Sequence, residues 1–251
     1  MIKRIKSIDA VRDKRVVLLQ SGGMDSCVLA CVLHKLGYEI HHLFIHYGQN
    51  SETEEKAAVH RIISAYGGKL HEVTLNIPWW TNSAIVGGKE VECFDVQGDL
   101  ASVQTNIYVA MRNQVFLSVA ASLAESLNIK YIAAGLDGRQ NIFGHVTSGT
   151  PDKHRAYVKK FERSITEGSV IKHVNHDRFE LIVPIVDNEK EDTIKLGMKF
   201  NCDFTLSWTC YNSGDIPCGE CAACVDRIRH FKNLGMVDPI VYKNNSLNTL
   251  D

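Results

Sequence analysis

Short apolar runs alternate along this chain with stretches in which apolar residues recur every three to four positions. Val16–Leu19 is the first run and reads as a strand. Apolar residues at 28, 29, 32, 33 and 36 mark one face of a helix over Cys27–Leu36, and Gly37 fits its stop. Ile40–His46 is a second strand. Glu52–Tyr66 is a second helix, with Ser51 at its N-cap and Gly67-Gly68 as its stop. Leu70–Leu75 is a third strand, Asn106–Leu127 a long helix and Tyr131–Ala134 a fourth strand. Arg155–Thr166 reads as a helix, Phe179–Pro184 as a strand, Lys190–Phe200 and Val225–Leu234 as helices. Residues 78–104, with Pro78-Trp79-Trp80, Gly87-Gly88 and Gly98, read as a long irregular segment with both tryptophans outward. Residues 139–154 read as polar loop.

Strands alternating with helices predict an α/β fold, a parallel sheet with helices on both faces. Ligands in such folds sit at the carboxyl ends of the strands. Three turns follow strands: Ser21–Ser26, Tyr47-Gly48-Gln49 and Gly135-Leu136-Asp137-Gly138. They are expected to converge on one crevice.

The 251 residues suffice for one large domain, or one domain with a small appendage. A hydrophobic fraction of 45% is ordinary for a globular chain. The formal net charge of −1 gives no strong field toward nucleic acid or membrane. No apolar stretch approaches the length of a transmembrane helix, and the basic N-terminus lacks the apolar core of a signal peptide. A cytoplasmic location is expected.

The richest segment is Ser21-Gly22-Gly23-Met24-Asp25-Ser26. A strand, a glycine turn and a helix start make an anion site, because free N–H groups and the helix dipole point at the ligand. Ser21 and Ser26 add hydroxyl donors. Asp25 repels phosphate, so its jobs are capping the helix or holding Mg²⁺ beside the phosphates. The GxxxxGK[ST] lysine of P-loop proteins is absent.

Eight cysteines are unevenly spread. Cys27, Cys31, Cys93 and Cys202 are scattered. Cys210, Cys218, Cys221 and Cys224 fall within fifteen residues. Four clustered thiolates suit a closed, tetrahedral, structural Zn²⁺ site. An iron–sulfur cluster also takes four cysteines, and spacing leaves both open.

The string Ser21–Ser26 resembles the SGGxDS PP-loop of the ATP pyrophosphatases, which implies adenylation with release of pyrophosphate. Combined with Ser207-Trp208-Thr209-Cys210-Tyr211 and its CxxCxxC, it resembles the 7-cyano-7-deazaguanine synthase (QueC) family from about Arg15 to about Gly235. Weaker matches fall in order: Tyr47-Gly48-Gln49 with the family's DYGQ, Met111-Arg112-Asn113 with GRN, Gly135-Leu136-Asp137 with GxN, and Val183 through Lys190 with TPLxxxxK. The resemblance implies a Rossmann-like fold of the adenine nucleotide alpha hydrolase type over residues 1–204. A four-cysteine zinc knuckle, 205–251, would pack on it. It implies ATP, Mg²⁺ and structural Zn²⁺ as cofactors. Ser21, Gly22, Gly23, Met24, Asp25, Ser26, Tyr47, Gln49 and Gly135 would hold ATP. Asp25, Arg112 and Lys190 would be catalytic, the two cations meeting phosphate charge. Asn113, Asp137, Asp152 and Arg155 would face the deazaguanine, with ammonia as co-substrate and a homodimer as the assembly.

Departures gather on the acceptor side. The family's PGRN is Ala110-Met111-Arg112-Asn113, its QRHxxE is Gln49 through Glu54 without Arg or His, and its SGYPDCRPEF keeps little beyond Pro151-Asp152 and Arg155. An alternative therefore keeps carboxylate activation and changes the nucleophile. QueC-like proteins of antiphage cassettes suggest transfer of the activated deazaguanine to an amine of a protein partner. A tRNA-thiolating PP-loop enzyme is disfavoured by the near-neutral charge.

Overall fold

The computed structural model describes residues 13–88, 91, 107–136, 139–142, 145–148, 151–186 and 189–250. Five parallel strands form the central sheet: β1 (Arg15–Leu19), β2 (Glu39–His46), β3 (Lys69–Thr74), β4 (Tyr131–Ala134) and β7 (Glu180–Ile182), in the order β3-β2-β1-β4-β7. A separate antiparallel pair, β5 (Arg139–Ile142) and β6 (His145–Ser148), lies where polar loop was expected. Its sequence carries no apolar alternation, so nothing local marked it.

The helices are α1 (Met24–Lys35), α2 (Glu52–Tyr66), α3 (Arg112–Ser126), α4 (Arg155–Glu167), α5 (Val170–Asn175), α6 (Lys190–Lys199) and α7 (Ala222–Lys232). They cover both faces. Val16, Leu18, Ile40 and Tyr131 pack with α1, α2, α6 and α7 through Ile62, Ile194, Leu196 and Phe231. Val17, Leu43, Ile45 and Ile132 pack with α3 and α5 through Ala120, Ala124 and Ile171. The alternation of Val16 and Val17 between these two cores is the period of two expected of a strand, and both sides being buried explains its unbroken apolar run. α1 is buried nearly all round from Ser26 to Leu33 rather than along one stripe, because α2 and α6 flank it.

Helix α3 begins at Arg112, later than the pattern from Asn106 implied. Met111 is left-handed (φ 52°), which breaks any helix running through it, and Ile107 and Val109 pack in a side cluster around Trp80. That cluster also separates the two tryptophans. Trp79 is 67% exposed, whereas Trp80 is 2% exposed and donates from Nε1 to Ala110 O at 3.0 Å. Cys31 on α1 and Cys202 after α6 form a disulfide, with Cα atoms 5.8 Å apart. No described helix is long and apolar enough to cross a membrane.

Candidate active site

β1 has β2 on one side and β4 on the other, so helices leave its two flanks in opposite directions and a crevice opens at its carboxyl end. A cavity of about 340 Å³ lies there, within the range of small-molecule sites. All three post-strand turns contribute to it.

The floor is the turn between β1 and α1. Gly22 takes φ +76°, and a Cβ there would lie 2.5 Å from the Glu55 carbonyl oxygen, so only glycine lets this turn seat on α2. Gly22 itself faces α2 and does not line the cavity, while Ser21, Gly23, Met24, Asp25 and Ser26 do. Gly23 is the N-cap of α1 without a side-chain cap. The first N–H groups of α1 have no carbonyl one turn earlier and are available to an anion. Asp25 does not cap. One carboxylate oxygen pairs with Lys190 Nζ, at the start of α6, and the other, Oδ1, is buried with no hydrogen-bond partner. An orphaned carboxylate oxygen beside an anion cradle fits a Mg²⁺ ligand.

Behind the cradle a buried relay fixes the hydroxyls. Burial pushes His42 down to about 4 and keeps it neutral. His42 Nε2 lies 3.0 Å from Gly67 O and its Nδ1 3.2 Å from the Gln20 side-chain amide, which also lies 3.0 Å from Ser26 Oγ. Ser26 Oγ is 3.2 Å from Ser21 Oγ. Gly135 ends β4 against this turn: a Cβ there would lie 2.8 Å from Asp25 Cβ and 3.2 Å from Ser26 N.

The opposite wall carries Tyr47, Gln49, Arg112 and Asn113. Arg112 donates to Tyr47 Oη at 2.9 Å and lies over its ring. Burial pushes the Tyr47 phenol up to about 12, so it stays neutral. No carboxylate pairs with Arg112 among the described residues. Asn113 donates to Asp152 at 3.2 Å. Asp152 and Arg155 do not line the cavity, although Lys153 between them does. Asp137 lies outside the described residues.

Two carboxylates escaped the sequence reading. Asp226 on α7 lines the cavity. Burial alone would raise it, but His230 and the cations of Lys190 and Arg229 hold it below the usual range. Glu55 on α2 also lines the cavity and accepts from Ser51 Oγ at 2.9 Å and Gln49 Nε2 at 3.1 Å. Burial pushes Glu55 up to about 7 against those bonds and against Arg112. Residues 52, 54 and 55 are all acidic in one first turn, which reads as a surface face complementing the helix dipole; only the fold shows which turns inward.

The Sγ atoms of Cys210, Cys218, Cys221 and Cys224 all lie within 4.8 Å of one another. Cys210 is 3.5 Å from Cys218 and 3.9 Å from Cys221. A tetrahedral ion with Zn–S near 2.3 Å places its sulfurs about 3.8 Å apart, so the four could hold one Zn²⁺. An iron–sulfur cube binds each cysteine to a different iron and needs wider spacing. The block is tied to the cradle: Trp208 N–H donates to Gly22 O at 2.9 Å, and Trp208 Nε1 donates to Cys210 O at 2.8 Å.

The family described as queuosine biosynthesis protein QueC matches residues 15–235. A 7-cyano-7-deazaguanine synthase of Methanobrevibacter smithii is 31% identical over 91% of this chain and 98% of its own. That of Thermoplasma volcanium is 33% identical over 91% of both. Among solved structures, NMN synthetase from Francisella tularensis aligns over 94% of this chain and 84% of its own, with 13% identity and a TM-score of 0.47.

Proposed function

The chain belongs to the QueC family of queuosine biosynthesis proteins, and from that premise we propose that it converts 7-carboxy-7-deazaguanine, ammonia and ATP to 7-cyano-7-deazaguanine. The observation that carries this reading is a single cavity in which the Ser21–Ser26 cradle, the Asp25–Lys190 pair and Arg112 meet. The apolar side of that cavity, with Phe44 and Phe116, suits a purine ring.

In this reading the substrate carboxylate attacks the α-phosphorus of ATP, forming an acyl adenylate and releasing pyrophosphate. The α1 N-terminus and Ser21 receive the leaving pyrophosphate, and Lys190 and Arg112 meet the charge that builds on it. Mg²⁺ held by Asp25 would neutralise phosphate charge. Ammonia displaces AMP to give the amide, and a second ATP activates the amide oxygen so that dehydration leaves the nitrile. The zinc site has no open position and stays outside the chemistry.

The test is pyrophosphate release with ATP, Mg²⁺ and 7-carboxy-7-deazaguanine, with and without ammonium, followed by mass spectrometry. The expected result is ammonium-dependent nitrile. Activation without nitrile, with mass gained by a co-purifying protein, would replace this reading with the conjugating one. No pyrophosphate release would overturn both.

A further inference from the structure

Three described carboxylates line the cavity: Asp25, Asp226 and Glu55. Asp25 is paired with Lys190, and Asp226 with His230 and Arg229. Glu55 has no ion pair among the described residues. Its hydrogen bonds come from two neutral donors, Ser51 and Gln49, which hold the carboxylate in one orientation. The charged and titratable groups facing it are Arg112 on α3, Tyr47 after β2 and Glu52 on its own helix. Its backbone carbonyl abuts Gly22, so the carboxylate projects from the element on which the anion cradle rests. An acid with no ion pair of its own in a phosphate-binding cavity works against ATP and needs another reason to be there.

We infer that Glu55 receives the nitrogen nucleophile as ammonium and removes its proton. The inference rests on the proposed function and names the base it lacks. Ammonium has no lone pair and cannot attack. Proton transfer to the Glu55 carboxylate leaves ammonia, whose lone pair forms the C–N bond at the acyl carbon. The C–O bond to AMP then breaks, and its electron pair leaves with AMP. The second nitrogen proton passes to the departing phosphate or to water. Burial, which pushes Glu55 up to about 7, matches its proton affinity to neutral pH better than an exposed glutamate would.

The test uses full-length wild type and Glu55→Gln, with ATP, Mg²⁺ and 7-carboxy-7-deazaguanine. Ammonium chloride is one nucleophile. Hydroxylamine is the other, because it is largely unprotonated at neutral pH and needs no base to become nucleophilic. The variant should keep pyrophosphate release and hydroxamate formation while ammonium-dependent amide falls about 10²-fold or more. Glu55→Asp should restore part of the ammonium reaction. Equal loss with both nucleophiles, or an unchanged ammonium rate, would overturn the inference. Should Glu55→Gln not fold, the wild-type ammonium rate still decides: it should rise with pH through an inflection near 7, and a profile without one overturns the inference. A wild type that releases no pyrophosphate would instead refute the proposed function itself.

Discussion

Gly135→Ala tests whether the approach of β4 fixes the anion cradle. The added Cβ would lie 2.8 Å from Asp25 Cβ and 3.2 Å from both Asp25 C and Ser26 N. Ordinary carbon contacts begin near 3.5 Å, so the first turn of α1 must retreat by about 0.7 Å. Two of the three obstructing atoms are backbone and cannot rotate away. Overpacking of this kind costs about 1–3 kcal/mol, which lowers the melting temperature by about 2–12 °C in a chain this size. The functional loss should be larger. A displacement approaching 1 Å in a positioning group costs about 10² in rate, or about 2.7 kcal/mol of barrier. Pyrophosphate release at saturating ATP and differential scanning fluorimetry read the two effects. Gly168→Ala is the control: at φ −87° its Cβ would meet only Ser164 O, at 3.6 Å. It should be neutral or stabilising by about 0.4–1 kcal/mol through the unfolded chain. Wild-type turnover by Gly135→Ala would refute the argument, because the cradle would then tolerate a shifted helix start.

Lys190→Met removes the cation paired with Asp25 and should lower adenylation by about 10²–10³-fold with the fold intact by circular dichroism; a loss below tenfold would remove Lys190 from the phosphate site. Cys221→Ser should abolish binding of one zinc per chain, measured by elemental analysis, and lower the melting temperature, since a structural zinc contributes folding energy directly; a metal-free variant of unchanged stability would refute the staple. His42 is buried neutral and pushed down to about 4. Between about pH 6.5 and 4 the unfolded chain therefore binds a proton that the folded chain does not, and stability falls as pH falls through that window, by up to about 3 kcal/mol. Urea titrations should show this acid-side loss in wild type and its reduction in His42→Gln; parallel slopes would show that His42 contributes nothing to it.

What was legible in the chain is what its chemistry keeps local. The Ser21–Ser26 cradle is one strand end, one turn and one helix start, all contiguous, so the sequence carries its geometry. The four cysteines fall within fifteen residues, and spacing alone brings them together. Glu55 and Asp226 were invisible for the opposite reason. A carboxylate in the first turn of α2 and another on the basic helix α7 look like solvated residues until α3 and α6 are placed across from them. Trp79 and Trp80 make the same point at the smallest scale: adjacent and identical, they differ only in which one the cluster around Phe116 encloses. Cys31 and Cys202 meet across 171 residues, which no spacing rule reaches.

The four-cysteine block shows why a structural metal would belong near this site. Thr209, Tyr211, Asp226 and Arg227, which lie within or beside the cysteine cluster, form one wall of the cavity. Arg227 donates to Asp238 at 2.6 Å and 3.0 Å, and to Ser207 at 2.7 Å, all of them buried. Tyr242 donates to the same Asp238 at 2.7 Å. The C-terminal segment is thus fastened through Asp238 to the strand-poor stretch that carries Trp208, and Trp208 is fastened to Gly22. A stretch with so little sheet or helix of its own has few backbone bonds to hold it. One tetrahedral ion held by the four cysteines would supply that rigidity where the cradle needs a fixed wall. Metal loss should therefore weaken ATP binding through Gly22 even though none of the four cysteines lines the cavity, and that dependence separates a stapled wall from a remote folding unit.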